Sequence, residues 1–539
     1  MAKYNGEALT TYTPRGSWAE LHRKLSSIGT VHIENVHILA NLEPFRYGSA
    51  DFIQKSVKAM HQIYGANGLH LYPQASYWDW PYTADNVKGR QMQLDRDWIW
   101  YKEWARYAWN ANRDRIEEIN YWGQQLANKY GTDLKAGKAM LNAYEEAGEI
   151  SPKLLRRYGI TDGNRQTLTL GMLMTQLINP YRYGLFTMMY ESEAPEGEMI
   201  IEYAEKEWNK QPHIGETPTQ IAKEVIDHGQ KAVAAINQAA PWVTKEKEEF
   251  NRLKNDMYCH EAMANFYAQK VKSALWVLRF KYSNDVADLE KALPFLESSL
   301  NYYTTLVKLT ENDYLYANSM QTKQRKIPMR GVDKTFITWK EMLPVYTKEL
   351  HHFKRSIDSL KSINTAAIQK VIPFANADVQ LVENYNTHQI NENTIVFADT
   401  VVKIKELTPK LNGLKGISFS KSEQVKIGTT IKFTTKSPVK LLVGFFNGKD
   451  ASYLPPPQLE TDASANNYGQ AEIKISNGII VNGFPPVNVH AYSFGVGTHT
   501  LTLGKGACLV LGFINDKEEL RIFNAGLDGR GRDIDWLFE

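Results

Sequence analysis

Residues 36–49 read VHILANLEPFRYGS, an apolar run that passes into a polar loop. Residues 49–64 then show the apolar periodicity of a helix, and residues 68–72 form a second short run that is typical of a strand. Strand, loop, helix and strand in this order make up a βαβ unit, the building block of parallel sheets and barrels. The sequence therefore predicts two parallel strands near the start of the chain.

A complete (β/α) barrel has eight such units and typically about 250 residues. Only two convincing strands precede the point at which the sequence pattern becomes helical. We therefore predict that residues 1–94 are the C-terminal part of a (β/α) barrel and that the chain is a fragment of a longer one. The alternative is a small, atypical α/β cap on a helical domain.

Residues 95–364 have an almost wholly helical pattern. An amphipathic run covers Arg115–Tyr130 and is followed by Gly131, and the stretch Lys245–Lys281 contains no proline. These features predict an antiparallel helical bundle. Its helices are expected to be separated by Pro152, Pro180, Pro195, Pro212, Pro218, Pro241, Pro294 and Pro328.

Residues 365–539 consist of short β-rich runs separated by Gly, Asn, Pro and Asp, as in a β-sandwich domain. TTIKFTT at residues 429–435 and VKLLVGFF at residues 439–446 are two of these predicted strands. Two stretches of this part, residues 460–467 and 485–492, are dense in hydrogen-bonding groups. We predict that they are loops, which bind a glycan or dock onto another domain. The predicted fold is therefore multidomain, with α/β, helical and β parts in this order.

The amino-acid composition indicates which class of molecule the protein binds. The 63 Lys and Arg residues nearly balance the 60 Asp and Glu residues, so no strong field attracts nucleic acid or a membrane surface. Aromatic residues reach 12%, and sugars stack their C–H faces on aromatic rings, so a carbohydrate partner is favoured. Two cysteines support neither a disulfide framework nor a cysteine metal site, and we expect no metal and no cofactor. A periplasmic or extracellular location is expected if a signal peptide precedes this sequence.

Two carboxylates follow the two predicted strands. Glu43 comes after the first and Asp79 after the second, at the strand ends where the ligand-binding loops of barrels gather. Glycoside hydrolysis needs one carboxyl group as general acid and another as base or nucleophile. We therefore predict that Glu43 and Asp79 are catalytic. The alternative is that Glu43 pairs with Arg46, and that Asp79 is a structural hydrogen-bond acceptor between two tryptophans.

Polar and aromatic side chains near these carboxylates are candidates for binding the sugar. Tryptophan and tyrosine rings can stack on it, and arginine can hold a sugar carboxylate in a bidentate way. The alternatives are packing of the aromatic loop against the helical domain and an ion pair of Arg96 with Asp95 or Asp97. The predicted substrate contacts are Asn41, Arg46, Tyr72, Gln74, Tyr77, Trp78, Trp80, Arg96 and Trp100.

The helical part opens with WARYAWNANRDRIEEINYW at residues 104–122. With its order of α/β, helical and β parts, the chain resembles modular bacterial glycoside hydrolases, and most of all the α-glucuronidase-type enzymes of families 67 and 115. In those enzymes the helical domain opens with R-x-A-W-N/D-P, which residues 106–110 match, whereas Ala111 replaces the proline. The resemblance implies catalytic carboxylates at late strand ends, where Glu43 and Asp79 lie.

Together these features predict a glycoside hydrolase that acts on a polysaccharide, with a uronic-acid residue as a candidate target. The chain has no phosphate-binding Gly-rich loop after its strands and no G-x-S-x-G motif, which disfavours nucleotide-dependent enzymes and serine hydrolases. Two alternatives stay open. One is a carbohydrate-binding protein without activity, and the other is a polysaccharide lyase, which would use a Tyr, His or Lys base.

Overall fold

The described residues of the computed structural model form two compact units. The first ends at Ile357 and the second begins at Asp358, so the described part of residues 1–94 and most of the helices belong to one unit. The structure describes residues 3–4, 9–10, 24, 27–36, 44–62, 65–71, 81–157, 197–317, 337–362, 372–448, 450–457, 468, 473–520, 523–527 and 534–538.

The first unit begins with two small sheets and a helix. Strand β1 (Lys3–Tyr4) pairs antiparallel with β2 (Leu9–Thr10), and β3 (Ile33–Val36) pairs parallel with β4 (Gly68–Leu71). Helix α1 (Ala50–Gln62) lies between β3 and β4 in the sequence and buries its apolar face. This is the predicted order of strand, helix and strand.

The first parallel strand begins at Ile33, three residues before the predicted start at Val36, and the rest of the predicted stretch, residues 37–41, lies outside the described residues. The β-branched Ile33 and Val36 favour the extended backbone there, although charged and polar residues stand between them. An apolar run alone was therefore a poor guide to the start of this strand.

Helices build most of the first unit, and the long helix α8 (Lys247–Ser283) is central to it. It packs against the helices that precede and follow it in sequence, and also against α5 (Leu134–Arg157) and α6 (Ile200–Asn209). None of the described helices has the length and apolar character that crossing a membrane requires. The helices are α2 (Gln93–Arg96), α3 (Trp98–Trp109), α4 (Arg115–Tyr130), α5 (Leu134–Arg157), α6 (Ile200–Asn209), α7 (Pro218–Ala239), α8 (Lys247–Ser283), α9 (Val286–Thr310) and α10 (Trp339–Ser362), with a 3-10 turn at Ala240–Trp242.

Helix α4 has the bounds that the sequence predicts, because both of its ends are capped locally. The Asp114 carboxylate accepts hydrogen bonds from the backbone N–H groups of Ile116 and Glu117. At the other end Gly131 adopts a left-handed conformation with φ 64°, which glycine reaches at little cost.

The cap at Asp114 gives a first testable prediction. Asp114→Ala is expected to lower the free energy of unfolding by about 1 kcal/mol, because two N–H groups of the first turn lose their acceptor. Urea unfolding followed by circular dichroism measures this. Asp114→Asn, which keeps an acceptor oxygen, serves as the control, and an equal loss in both variants would contradict the capping role.

Two prolines that were expected to separate helices lie inside them. Pro152 is within α5 and Pro294 is within α9. A proline removes one backbone hydrogen bond and can bend a helix, but a helix continues past it where the flanking turns are packed. The turns on both sides of Pro294 are held by the buried Leu289 and Leu296. The prediction of breaks at Pro152 and Pro294 was therefore wrong.

The second unit consists mainly of antiparallel strands. In its larger sheet the strand order is β15-β11-β12-β10-β14-β8-β6, with β7 also paired to β11, and in its smaller sheet the order is β13-β9-β5. Two 3-10 turns lie at Pro409–Leu411 and Asp535–Phe538. The elements are β5 (Val379–Leu381), β6 (Asn386–Ile390), β7 (Ile404–Leu407), β8 (Leu414–Ser418), α11 (Lys421–Ile427), β9 (Thr429–Thr435), β10 (Val439–Phe446), β11 (Ile473–Val481), β12 (Val487–Phe494), β13 (Gly497–Leu503), β14 (Leu509–Asn515) and β15 (Phe523–Asn524).

Apolar side chains cover both faces of the larger sheet. In β10, Leu441 packs in one core together with Phe433 of the smaller sheet, and the next residue, Leu442, packs in a second core with Ile475. Successive residues of a strand point to opposite faces, so a strand between two cores must be apolar throughout. This explains the continuous run VKLLVGFF at residues 439–446.

One predicted loop of this unit is a strand. Residues 485–492 were expected to bind a glycan or dock onto another domain, but β12 occupies residues 487–494 and pairs with both β10 and β11. Val487, Val489 and Ala491 alternate along it and are buried, an alternation that two preceding prolines and the polar residues between them concealed. The other predicted loop, residues 460–467, lies outside the described residues.

Candidate active site

The described parts of the two parallel strands end side by side at one edge of their sheet. In the register of β3 and β4, Val36 is opposite Leu71. In the sequence Glu43 follows Val36 by seven residues, and Asp79 follows Leu71 by eight. The strand pairing is thus compatible with one site that receives both loops.

Most of the predicted site residues lie outside the described part of the chain, in residues 37–43 and 72–80. Their side chains therefore have no described position, and their roles stay predictions. They are Asn41, Glu43, Tyr72, Gln74, Tyr77, Trp78, Asp79 and Trp80. The described residues begin again at Pro44, directly after Glu43, and the segment 44–50 is buried throughout.

Arg46, three residues after Glu43, holds this segment to two other parts of the unit. Its guanidinium group donates to both carboxylate oxygens of Glu249, at 2.7 and 2.8 Å. It also donates to Asp85 at 2.7 Å and to Asp256 at 3.0 Å. The backbone N–H of Arg46 donates to the same Asp256 oxygen at 2.8 Å. Side chain and backbone of one residue are thus fixed to helix α8.

Arg96 extends this group of charges. It donates to Asp85 at 2.6 Å and binds Asp97 through two nitrogens at 2.9 and 3.1 Å. It also donates to the backbone oxygen of Pro44 at 2.8 Å. Asp85 lies between the two arginines and accepts from both, so Arg46, Asp85, Arg96, Asp97, Glu249 and Asp256 form one connected set, here named the buried ion network.

Burial and the nearby arginines together determine the pKa values of the carboxyl groups in the buried ion network. Burial alone would raise the pKa of Asp85, but Arg46 and Arg96 outweigh it and hold that pKa below its usual range. Burial raises the pKa of Asp256 to about 6, although Arg46 lies next to it and Tyr314 donates a short hydrogen bond to it. Asp85, which both arginines contact, therefore stays ionised at neutral pH.

Aromatic rings enclose the network. Phe45 stacks on Trp339 with ring centroids 5.3 Å apart and an interplanar angle of 12°. The rings of His260 and Tyr314 meet Phe45 edge-on, with centroids 5.6 and 5.7 Å away. Apolar surroundings strengthen the ion pairs and make a missing partner costly. The ring contacts also hold Phe45 in place, two residues after Glu43, which is a positioning role.

Glu103 holds the start of helix α1 in a different way. Its Oε2 accepts from the backbone N–H of Ser49 at 3.0 Å. Burial raises the pKa of Glu103 well above its usual value, although the hydrogen bond from Ser49 opposes this shift. Helix α5 comes close to the same place at Gly148, where an added Cβ would lie 2.6 Å from the Cβ of Ser49. The segment after the candidate loop is thus packed against α3, α5 and α8.

Three predicted substrate contacts are interior residues of this structure. Arg46, Arg96 and Trp100 are 1%, 2% and 0% exposed, and both arginines are fully engaged with carboxylates. A sugar contact does not fit this burial. The pair of Arg96 with Asp97 is the alternative that the sequence left open, whereas Arg46 pairs with Asp85, Glu249 and Asp256. We therefore assign these three residues to positioning and packing.

The phrase at residues 106–110 is also structural. Arg106 binds both oxygens of Glu118 at 2.7 Å and lies over the ring of Tyr121, with 3.6 Å from Cζ to the centroid. Tyr107 accepts a hydrogen bond from the indole of Trp122 at 2.8 Å. These contacts join α3 to α4, which explains why Arg106 and Tyr107 occur where the helical part begins.

Sequence reasoning missed the carboxylates of the network, namely Asp85, Glu249 and Asp256. One signal existed, because Glu249 and Asp256 are seven residues apart and so share one face of α8. On that face Asp256 stands among buried apolar residues. Across the described residues, no group of three or more His, Cys, Asp or Glu side chains is arranged to hold a metal ion.

His260 gives a prediction about pH. Burial lowers its pKa to about 4, and its Nε2 hydrogen-bonds to the backbone oxygen of Arg46 at 3.2 Å. The unfolded chain takes up a proton near pH 6.5 and the folded protein does so only near 4, so stability falls as pH falls through this window. Between pH 7 and 5 the free energy of unfolding is expected to fall about 2 kcal/mol more in the wild type than in His260→Gln. Urea unfolding at both pH values measures this, and equal losses would contradict it.

No protein-family model matches the chain, and no curated protein matches it. Over its whole length it is similar to a solved structure described as a GH138 enzyme targeting pectin rhamnogalacturonan II, with 49% sequence identity and a TM-score of 0.85. A structural neighbour of the chain is thus a glycoside hydrolase. The alignment covers 100% of this chain and 62% of the other, so this chain spans about three fifths of the length of its relative. The relative's family, 138, is not one of the two families, 67 and 115, that the sequence resembles.

Proposed function

We propose that this protein is a glycoside hydrolase that acts on a pectic polysaccharide. The observation that carries the proposal is its similarity, at 49% identity over 100% of this chain, to an enzyme described as targeting pectin rhamnogalacturonan II. Identity at this level over the whole chain supports a shared chemistry as well as a shared fold. Because the substrate is a large polymer, we also propose that the protein works in the periplasm or outside the cell.

We further propose Glu43 and Asp79 as carboxylates of the site. Support comes from the parallel register of β3 and β4, whose last described residues, Val36 and Leu71, lie opposite each other at one edge of the sheet. One carboxyl group would protonate the leaving oxygen, and the other would act as base or nucleophile. Their separation would decide the stereochemical outcome, with about 5–5.5 Å for retention and about 6.5–9.5 Å for inversion.

The aromatic and polar residues of the same two loops are the proposed sugar contacts. They are Asn41, Tyr72, Gln74, Tyr77, Trp78 and Trp80. Two of the arginines that were expected to hold a sugar carboxylate, Arg46 and Arg96, are paired inside the unit. The proposal therefore names a pectic polysaccharide and assigns no charged sugar to this site.

Product analysis tests the proposal. The protein is incubated with purified rhamnogalacturonan II, and new reducing ends and the ultraviolet absorbance of unsaturated sugars are followed together. A rise in reducing ends without new absorbance is expected from hydrolysis, and heat-unfolded protein is the control. A parallel rise in absorbance would identify a lyase instead. Binding of the polysaccharide without either signal would identify a carbohydrate-binding protein.

A further inference from the structure

A groove lies on the first unit between helices α6, α8 and α9, with a cavity volume of about 260 Å³. It is slightly smaller than the roughly 300 Å³ at which pockets for drug-sized ligands begin, so it suits a ligand the size of one sugar ring. We name it the Trp208 groove. The lining residues that matter here are Tyr203, Trp208, Lys272, Trp276, Arg279 and Phe295.

Aromatic rings form the walls of the Trp208 groove. Trp208 is 41% exposed, and its ring stacks on Tyr282 with centroids 5.7 Å apart and planes 17° apart. Tyr203 stacks on His213 with centroids 4.2 Å apart. Each ring is thus held in a fixed orientation by a second ring, so a ligand that stacks on it orders no flexible side chain.

Positive charge lines the same groove. Lys272 and Arg279 are seven residues apart on α8, so they project from one face of the helix, with Trp276 between them. The Cζ of Arg279 lies 5.7 Å from the ring centroid of Trp208 and 5.8 Å from that of Trp276. Its Nε is 3.4 Å from Asp288, and its side chain is 52% exposed, so part of the guanidinium edge faces solvent.

The acidic residue of the groove has its own partner. Glu207 lines the cavity, but its carboxylate lies 2.7 Å from Nε2 of His213. The hydrogen bond to Glu207 raises the pKa of His213, which favours the charged imidazole next to this carboxylate. Lys272 and Arg279 therefore set the charge that a ligand in the groove would meet.

The Trp208 groove is far from the place where Arg46 binds helix α8. Helix α8 reaches both places, because Asp256 binds Arg46 near one end and Trp276 lines the groove 20 residues further along. At 1.5 Å per residue this is about 30 Å along the helix. The groove and the contact of Arg46 with α8 are thus separate places on the first unit.

We propose that the Trp208 groove is a second carbohydrate-binding site, selective for a sugar that carries a carboxylate. The C–H face of the sugar ring stacks on the exposed indole of Trp208, and its carboxylate accepts hydrogen bonds from Arg279 and from Lys272. The site binds and does no chemistry. It would hold an acidic polysaccharide near the protein while another part of the same polysaccharide is hydrolysed.

Titration calorimetry with a galacturonic acid trimer and with its methyl ester tests this. Trp208→Ala and Arg279→Gln are each expected to weaken binding of the acid trimer at least about tenfold. The matched control is Trp242→Ala, since Trp242 is 62% exposed and does not line the groove. The methyl ester is expected to bind wild type at least about tenfold more weakly than the acid. Thermal unfolding shows whether each variant is folded.

Three outcomes would overturn the proposal. Equal affinity of Trp208→Ala and wild type for the trimer would remove the groove as the site. Equal affinity of wild type for the acid and the methyl ester would show that the site does not recognise the carboxylate. Loss of hydrolysis of a short soluble substrate in Trp208→Ala would show that the groove is not separate from the reaction. Because binding is measured without turnover, the inference can succeed even if the proposed hydrolase activity fails.

Discussion

Replacing Glu43 with Gln is expected to lower kcat on a pectic polysaccharide by about 10²- to 10⁴-fold, the range that one positioned proton-transfer group contributes. The amide has the size of the carboxylate but cannot ionise or carry the proton. Asp79→Asn is expected to have an effect of the same order. Release of reducing ends, compared between each variant and wild type at equal concentration, measures it.

Controls separate a loss of chemistry from a loss of folding. Glu117→Gln makes the same change at an exposed residue in the first turn of α4 and is expected to retain wild-type kcat. The midpoint of thermal unfolding of Glu43→Gln is expected to match that of wild type. Undiminished turnover in Glu43→Gln would remove this residue from the mechanism, while leaving the assignment of the polysaccharide substrate untouched.

Local signals in the sequence were sufficient for many elements of the fold. The bounds of α4 follow from the cap at Asp114 and from Gly131, both adjacent to the helix. Strands β9 and β10 lie where TTIKFTT and VKLLVGFF predict them. Strand β12 was missed because its alternation is broken up by polar residues and preceded by prolines. A helix or strand that is determined by residues a few positions away can therefore be predicted from the sequence.

The contacts inside the first unit join residues that are distant from one another in the sequence. Arg46 meets Asp85, Glu249 and Asp256, which are 39, 203 and 210 residues away. An arginine between two aromatic residues has the same local sequence pattern whether it faces a ligand or three buried carboxylates. Trp100 presents the same ambiguity, because only packing decides that it is buried. The parallel pairing of β3 and β4, by contrast, could be predicted from the sequence, while the site at the ends of these strands stays a prediction.

The second large effect is expected from Arg46→Met, which should lower the free energy of unfolding by about 3–5 kcal/mol. Methionine fills most of the volume but leaves Asp85, Glu249 and Asp256 close together inside the unit with one cation fewer. Burial already raises the pKa of Asp256, and loss of Arg46 removes the main opposing charge. Urea unfolding measures the change.

The control for Arg46→Met is Arg355→Met, at an exposed position of α10, where a change within about 0.5 kcal/mol is expected. If the loss arises from unpaired carboxylates, removing one of them should recover part of it. The double variant Arg46→Met with Asp256→Leu is therefore expected to be less destabilised than the sum of the two single variants. Strict additivity would show that Arg46 acts through packing alone. Because Arg46 fixes the chain three residues after Glu43, the same variant should also lose turnover at temperatures where it is still folded.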